Sequence, residues 1–314
     1  MEQLKIIAGN SNPELAQKIA SEISVNLSPT MIKRFADGEI QIEIHDNVRG
    51  ADVYIIQSTC PPSNENYMEL FILIDALKRA SAARITAVMP YYGYSRQDRK
   101  VAPRAPISAK LMADLLTTAG ANRVVSIDLH AGQIQGFFNV PVDHLFSIPS
   151  LARAWREEWG FGDDFVVVSP DAGGVERARA FAKRLEAPIA IIDKRRTGPN
   201  EAKAYNLIGE VKGKFAVIID DMIDTAGTLT QAAETIMKNG ATRVAAVTTH
   251  PVLSGPAIQR IQDSPLEFVV VTDTIPLKEA AQQTGKYKVI SVAPVIAEAI
   301  KRIHDNESVS SLFI

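Results

Sequence analysis

Short apolar runs recur along the chain at 4–8, 52–57, 84–89, 124–127, 165–168, 189–192, 215–219, 244–247, 268–271 and 289–292. Several are continuous rather than alternating, as expected of strands covered on both faces. Between them, residues 67–80, 107–118, 176–185, 228–238 and 294–303 have helical spacing. Strands alternating with helices predict an α/β fold of mainly parallel sheets flanked by helices.

A weak internal repeat sharpens this. Residues 120–130 read GANRVVSIDLH and residues 240–250 read GATRVAAVTTH, with Gly, Ala, Arg, Val and the closing His at a constant offset. A duplicated α/β module accounts for it. The bland alternative is that many helix-to-strand connections use Gly at the helix end. A length of 314 residues suits about two domains. The boundary is expected within PVDHLFSIPSLARAWREEWG, giving domains 1–146 and 147–314 with no low-complexity linker between them.

Charge narrows the possible partners. The 34 basic and 36 acidic residues leave a net of −2, so no global field draws the chain to nucleic acid or to an anionic membrane. Any anion site is therefore local. The single cysteine, Cys60, excludes an intramolecular disulfide framework. No secretory signal is visible, and no apolar run approaches the roughly 20 residues of a membrane span. A cytoplasmic protein is expected.

Ligands of open parallel sheets bind beyond the carboxyl ends of the strands, and several loops there are chemically loaded. In VIIDDMIDTAGTLT (217–230), Asp224, Thr225, Ala226, Gly227 and Thr228 stand where a strand turns into a helix. Backbone N–H groups and the helix dipole favour an anion there. Asp220 and Asp221 repel phosphate but suit vicinal hydroxyls or a divalent cation. Together they describe a phosphorylated sugar; the alternative is an ordinary capped helix start. In SPDAGGVERARAFAKRL (169–185), Asp171, Ala172, Gly173 and Gly174 form a second possible anion nest, suited to a pyrophosphate, or simply a tight turn. In IDLHAGQIQGFF (127–138), Asp128 and His130 stand at a strand end. Two basic loops follow strands. MPYYGYSRQDRKVAPRAP (89–106) carries Arg96, Arg99, Lys100 and Arg104, and DKRRTGPNEAKAYN (193–206) would bring Lys194 and Arg196 onto a substrate as a flap. Each could also be a solvated surface loop. Walker and GxGxxG nucleotide signatures are absent. The sum describes phosphoryl transfer to a sugar phosphate with Mg²⁺.

These residues carry a family resemblance. RFADGEIQIEI (34–44), PYYGYSRQDRK (90–100), DLHAGQIQGFF (128–138), VVSPDAGGVERAR (167–179), IIDKRR (191–196), IIDDMIDTAGTL (218–229) and SVSSLF (308–313) resemble ribose-phosphate pyrophosphokinase (phosphoribosyl pyrophosphate synthetase), and the likeness extends over essentially the whole chain. The resemblance implies two similar domains of phosphoribosyltransferase type, the first on the ATP side with subunit contacts, the second with the ribose 5-phosphate site and flap. It implies transfer of the β,γ-diphosphoryl group of ATP to the 1-hydroxyl of ribose 5-phosphate, releasing AMP, for nucleotide biosynthesis. It assigns ATP contacts to Arg96 and Gln97, and to Phe35, Asp37 and Glu39 reaching from a neighbouring subunit. Ribose 5-phosphate falls to Asp220, Asp221 and Asp224 through Thr228, pyrophosphate to the loop 171–174, metal to His130 and Asp171, and closure over the site to Lys194 and Arg196. A homohexamer built from dimers is implied. Pro251, Asn139 and His144 depart from the family pattern, the last two near the region that binds regulatory phosphate or ADP. The competing reading is a non-catalytic, synthetase-associated regulatory subunit of the same fold. A phosphoribosyltransferase, which needs only one such domain, is a second alternative.

Overall fold

The computed structural model describes residues 3–195 and 204–313, with the backbone alone at 194, 195, 204 and 205. The first part of the chain builds β1 (Leu4–Ala8), α1 (Pro13–Ile23), β2 (Thr30–Arg34), β3 (Ile40–Ile44), β4 (Asp52–Ile56), α2 (Ser63–Arg79), β5 (Arg84–Met89), α3 (Ser108–Ala119), β6 (Arg123–Ile127) and β7 (Val142–Leu145). It continues with α4 (Ile148–Trp159), β8 (Phe165–Ser169), α5 (Val175–Leu185), β9 (Ile189–Arg195), β10 (Ala204–Ile208), β11 (Phe215–Ile223) and α6 (Gly227–Lys238). The last elements are β12 (Arg243–Pro251), α7 (Ala257–Asp263), β13 (Val269–Thr272), α8 (Glu279–Gln282), β14 (Tyr287–Ile290) and α9 (Ala293–His304).

Two large sheets result, in the orders β1-β4-β5-β6-β7 and β10-β9-β8-β11-β12-β13-β14. Every pair in the first is parallel. In the second only β9 and β10 run antiparallel. β2 and β3 form a separate antiparallel hairpin. The α/β architecture expected from the alternation is therefore present. Both copies of the internal repeat occupy the same setting. Each follows a helix that ends at a glycine with positive φ, Gly120 (126°) after α3 and Gly240 (90°) after α6, and each enters a parallel strand, β6 or β12.

The unbroken apolar runs follow from burial on both sheet faces. In the first sheet Ile7, Val53 and Ile55 pack with α2 and α3. Their neighbours Ile6, Tyr54 and Ile56 pack on the opposite face with α1 and α9. In the second sheet Val166, Val168, Ala216 and Ile218 face α6 and α7. Phe165, Val167, Phe215 and Val217 face α4 and α5, around the fully buried Trp155. α1 starts at Asn12, whose side chain accepts from the Leu15 N–H at 3.2 Å, with Pro13 in the first turn.

The chain divides into two units. One is Met1–Phe146 with Thr274–Pro276 and Ser291–Ile314; the other is Ser147–Asp273 with Leu277–Ile290. The expected second domain, 147–314, thus differs at its end, because residues 291–314 belong to the first unit. The reason is physical. Ile296, Ile300 and Ile303 of α9 complete the apolar cover over Ile6, Tyr54 and Ile56. A buried polar cluster pins the same helix. Asp52, fully buried at the start of β4, accepts from Arg84 Nε at 2.7 Å and Tyr54 OH at 2.9 Å, and pairs with His304 Nδ1 at 2.8 Å. Arg84 also donates to the Ile303 carbonyl at 3.2 Å. Among the described residues no helix is long and apolar enough to cross a membrane.

Burial alone would raise the Asp52 pKa, but hydrogen bonds from Arg84, His304 and Tyr54 outweigh it and hold the carboxyl below its ordinary value. Its contribution to stability is therefore complete above about pH 4 and is lost as pH falls through the folded pKa. Arg84→Met is expected to destabilise the protein by about 3 kcal/mol at pH 7 in urea unfolding. That deficit should shrink at pH values where Asp52 takes up a proton.

Candidate active site

The loaded turn grows from β11. Ala216 to Ile219 are buried, and two acids follow within the strand, which ends at Ile223. Asp221 is buried and the Asp220 side chain keeps 30% of its exposure. Asp220 Oδ1 accepts from the Asp221 N–H at 2.9 Å. The two carboxylates share one cation: Arg177 Nη1 of α5 lies 3.6 Å from Oδ1 of each. Burial, and then the Asp221 charge, push the Asp220 pKa well above the ordinary carboxylate range, with Arg177 opposing.

Beyond the acids the backbone reverses through Ala226, which holds a left-handed conformation at φ 61°, ψ 2°. For a residue with a Cβ this is uncommon and strained. α6 starts at the next residue. Successive carbonyls of the turn are all engaged. Ile223 O accepts from Leu253 N at 2.9 Å, Asp224 O from Ser254 N at 2.9 Å, Thr225 O from Arg260 Nη1 at 3.0 Å and Ala226 O from Thr230 N at 3.0 Å. In a trans peptide the N–H points opposite to the C=O. The amides of 224–227 therefore face away from these partners, as an anion-binding turn requires. Thr225 and Thr228 are exposed, and with Gly227 and Arg260 they line an open depression of about 530 Å³.

The second glycine loop follows β8. Asp171 Oδ1 accepts from the Gly174 N–H at 3.1 Å, and Ser169 Oγ donates to the Asp171 carbonyl at 2.7 Å. A Cβ on Gly174 would stand 2.8 Å from Ser169 Oγ, so a larger residue does not fit without a shift. Ala172 and Gly173 are exposed beside it. The tight turn weighed for this loop is therefore part of its geometry, with Asp171 capping it. The loop also leads into α5, the helix that delivers Arg177 to the acid pair. Arg177 was not singled out in the sequence, although it stands three residues after the second glycine of the motif. Arg260 had no motif to mark it.

The remaining candidates lie in the first unit. Arg96 and Gln97 are exposed in the loop after β5, whose base is pinned. Gly93 N donates to Thr59 Oγ1 and Tyr67 OH to Gly93 O, each at 2.8 Å. Gln97 O accepts from Ala109 N at 3.2 Å at the start of α3. Phe35, Asp37 and Glu39 occupy the exposed tip between β2 and β3. Phe35 N donates to Glu39 O at 2.8 Å and Glu39 N to Asp37 Oδ1 at 3.0 Å. His130 is exposed just past β6. The preceding Leu129 N–H donates to His144 Nε2 at 2.9 Å, so His144 steadies the turn that presents His130. Asn139 is exposed, and Pro251 ends β12 opposite Ile223. The expected metal pair is divided, with His130 in the first unit and Asp171 in the second. Among the described residues no three His, Cys, Asp or Glu side chains gather as a metal-holding group. Lys194 lies on β9 with its side chain outside the description, and Arg196 falls outside the described residues.

Because its folded pKa is raised, Asp220 weakens the fold progressively as pH climbs from about 4 through that folded value. Asp220→Asn should therefore melt higher than the parent protein at pH 8, by about 2–4 °C for each kcal/mol relieved. The advantage should vanish towards pH 4. Calorimetric melting across that range checks it.

Comparison with known proteins agrees along the whole chain. A family profile described as the N-terminal domain of ribose phosphate pyrophosphokinase matches residues 4–120, and one described as a phosphoribosyl synthetase-associated domain matches residues 195–314. The ribose-phosphate pyrophosphokinase of Caldanaerobacter subterraneus subsp. tengcongensis is 59% identical over 310 residues, covering 99% of this chain and 98% of that one. Its counterpart in Oceanobacillus iheyensis is 57% identical over 310 residues, covering 99% and 97%. The crystal structure of phosphoribosylpyrophosphate synthetase from Mycobacterium smegmatis superposes with a TM-score of 0.92 at 43% identity, covering 97% of this chain and 100% of that one. The chain belongs to the ribose-phosphate pyrophosphokinase family.

Proposed function

We propose that the protein transfers the β,γ-diphosphoryl group of ATP to the 1-hydroxyl of ribose 5-phosphate, giving phosphoribosyl pyrophosphate and AMP. The observation that carries this reading is one strand end with two complementary chemistries. A carboxylate pair stands before a turn whose carbonyls are engaged, which leaves its amides turned away from those partners. Asp220 and Asp221 accept from the ring hydroxyls, and the Asp224–Thr228 turn takes the 5-phosphate. Full-length likeness to chains named ribose-phosphate pyrophosphokinase supports the same reaction and disfavours a non-catalytic subunit.

In the step itself, the sugar 1-oxygen forms a bond to the β-phosphorus of ATP. The bond from that phosphorus to the α,β-bridging oxygen breaks, AMP leaves, and the hydroxyl proton passes to solvent. Positioning and charge neutralisation dominate such transfers. Asp220 and Asp221 orient the hydroxyl end of the sugar. The Asp171–Gly174 loop would cradle the transferred pyrophosphate, and Arg96, Gln97, Phe35, Asp37 and Glu39 would hold ATP. Lys194 and Arg196 would add positive charge over the site. Magnesium prefers oxygen, keeps waters and phosphate oxygens, and needs only one or two carboxylates, so Asp171 suits it, whereas His130 would be an unusual nitrogen ligand. Asp171, at a strand end, and His130 are the residues that would hold it, and the ion would neutralise charge on the phosphates. The reading includes two phosphoribosyltransferase-type domains and a hexameric assembly, both from the family resemblance, and a chain boundary near residue 146 and a cytoplasmic setting, both from the sequence pattern.

Incubation with ATP, Mg²⁺ and ribose 5-phosphate should yield AMP and phosphoribosyl pyrophosphate in equal amounts. Release of ADP, or no AMP above a sugar-free control, would contradict the reading. Lys194→Ala should lower kcat by about 100-fold or more while the KM for ribose 5-phosphate moves little.

A further inference from the structure

The phosphate turn is oriented from behind by a segment outside every motif used so far, residues 253–260. Two of its members bind the turn with backbone N–H groups, Leu253 to the Ile223 carbonyl and Ser254 to the Asp224 carbonyl, each at 2.9 Å. The third bond differs in kind. The Thr225 carbonyl, at the peptide that leads into the strained Ala226, is held by a side chain, Arg260 Nη1, at 3.0 Å. This peptide has the least local support, because α6 begins only after it. If the Thr225–Ala226 plane rotated, the Ala226 N–H would swing away from its neighbours.

The carrier of Arg260 is itself well anchored. Arg260 lies on α7, and Lys286 Nζ sits among the carbonyls of Ile261, Gln262, Ser264 and Leu266 at 2.8–3.2 Å, sharing its three N–H donors between them and closing the end of that helix. Lys278 Nζ donates to the Leu253 carbonyl at 2.7 Å, fixing the start of the segment, where Leu253 holds a positive φ of 49°. The fit is close at Gly227 as well, where an added Cβ would stand 3.3 Å from Arg260 Nη1.

We propose that Arg260 is a positioning residue for the sugar-phosphate substrate. Through the Thr225 carbonyl it sets the direction of the Ala226 amide, so that the turn is preorganised for the phosphate before substrate arrives. This rests on the reading of the turn as the 5-phosphate site. Arg260 is exposed, so its replacement leaves the core intact.

The test is steady-state kinetics of the full chain and of Arg260→Met and Arg260→Lys, with ATP and ribose 5-phosphate varied separately. Arg260→Met should raise the KM for ribose 5-phosphate about tenfold, the size expected for one lost charge-assisted bond. The KM for ATP and kcat should stay within about twofold of the parent, which a general structural defect would not allow. Arg260→Lys, which keeps a donor, should fall between the two. An unchanged KM for ribose 5-phosphate beside an active parent overturns the positioning role alone, as does an equal rise in the KM for ATP. A parent chain that releases no AMP overturns the reading of the turn and this role with it.

Discussion

Four consecutive carbonyls, from Ile223 to Ala226, each accept a hydrogen bond, and this fixes where the amides of residues 224–227 point. The proposed hold on the 5-phosphate depends on that constraint. A turn whose carbonyls were free could rotate its peptides and present oxygen instead of nitrogen to an anion. The strain at Ala226, of order 1 kcal/mol or more, persists because neighbours on both sides over-determine it. The parallel sheet supplies the frame: β11 delivers the turn, and the connection from β12 to α7 brings the partners that hold it.

The acids before the turn add a cost of the opposite kind. Two carboxylates at adjacent positions repel each other, and Arg177 sits 3.6 Å from one oxygen of each, beyond ordinary hydrogen-bond distance. Burial first, and then the Asp221 charge, raise the Asp220 pKa, and Arg177 offsets them only in part. The first unit contains the contrasting case. Asp52 is more deeply buried, yet three close partners keep its pKa low. The satisfied carboxylate pins a helix, while Asp220 keeps part of its surface open beside the buried Asp221, as a group reserved for a ligand does.

Much of the fold was legible because the sheets are buried on both faces. Continuous apolar runs mark β4, β5, β8 and β11 without ambiguity. β2 and β3 escaped because their positions are only partly buried and their sequences mix charge with apolar residues. β7 is a short VDHL with one buried position, and α7 has two buried alanine and isoleucine anchors in seven residues. At the end of the chain, the run read as a strand over 289–292 is centred two residues earlier, at Tyr287–Ile290, and Val292 caps α9 instead. That α9 is a helix could be read from its spacing. That it joins the first unit could not, because its docking on Asp52 and Arg84 joins residues 252 and 219 positions apart. At the site, the acids, the Thr-Gly turn and the glycine loop were visible as motifs. Arg177 was visible but unremarked, and Arg260 and the left-handed Ala226 carry no local signature, since tertiary contacts alone give them their roles.

The central claim is a division of labour within one strand end, with Asp220 and Asp221 on the sugar hydroxyls and the following turn on the phosphate. Calorimetric binding of ribose 5-phosphate and of methyl phosphate, a phosphate monoester with no sugar ring, tests it directly in the parent protein and in Asp220→Asn/Asp221→Asn. The account predicts that the double variant loses affinity for ribose 5-phosphate by about tenfold or more while methyl phosphate binds as before. Equal losses for the two ligands, or no loss for ribose 5-phosphate, would contradict it.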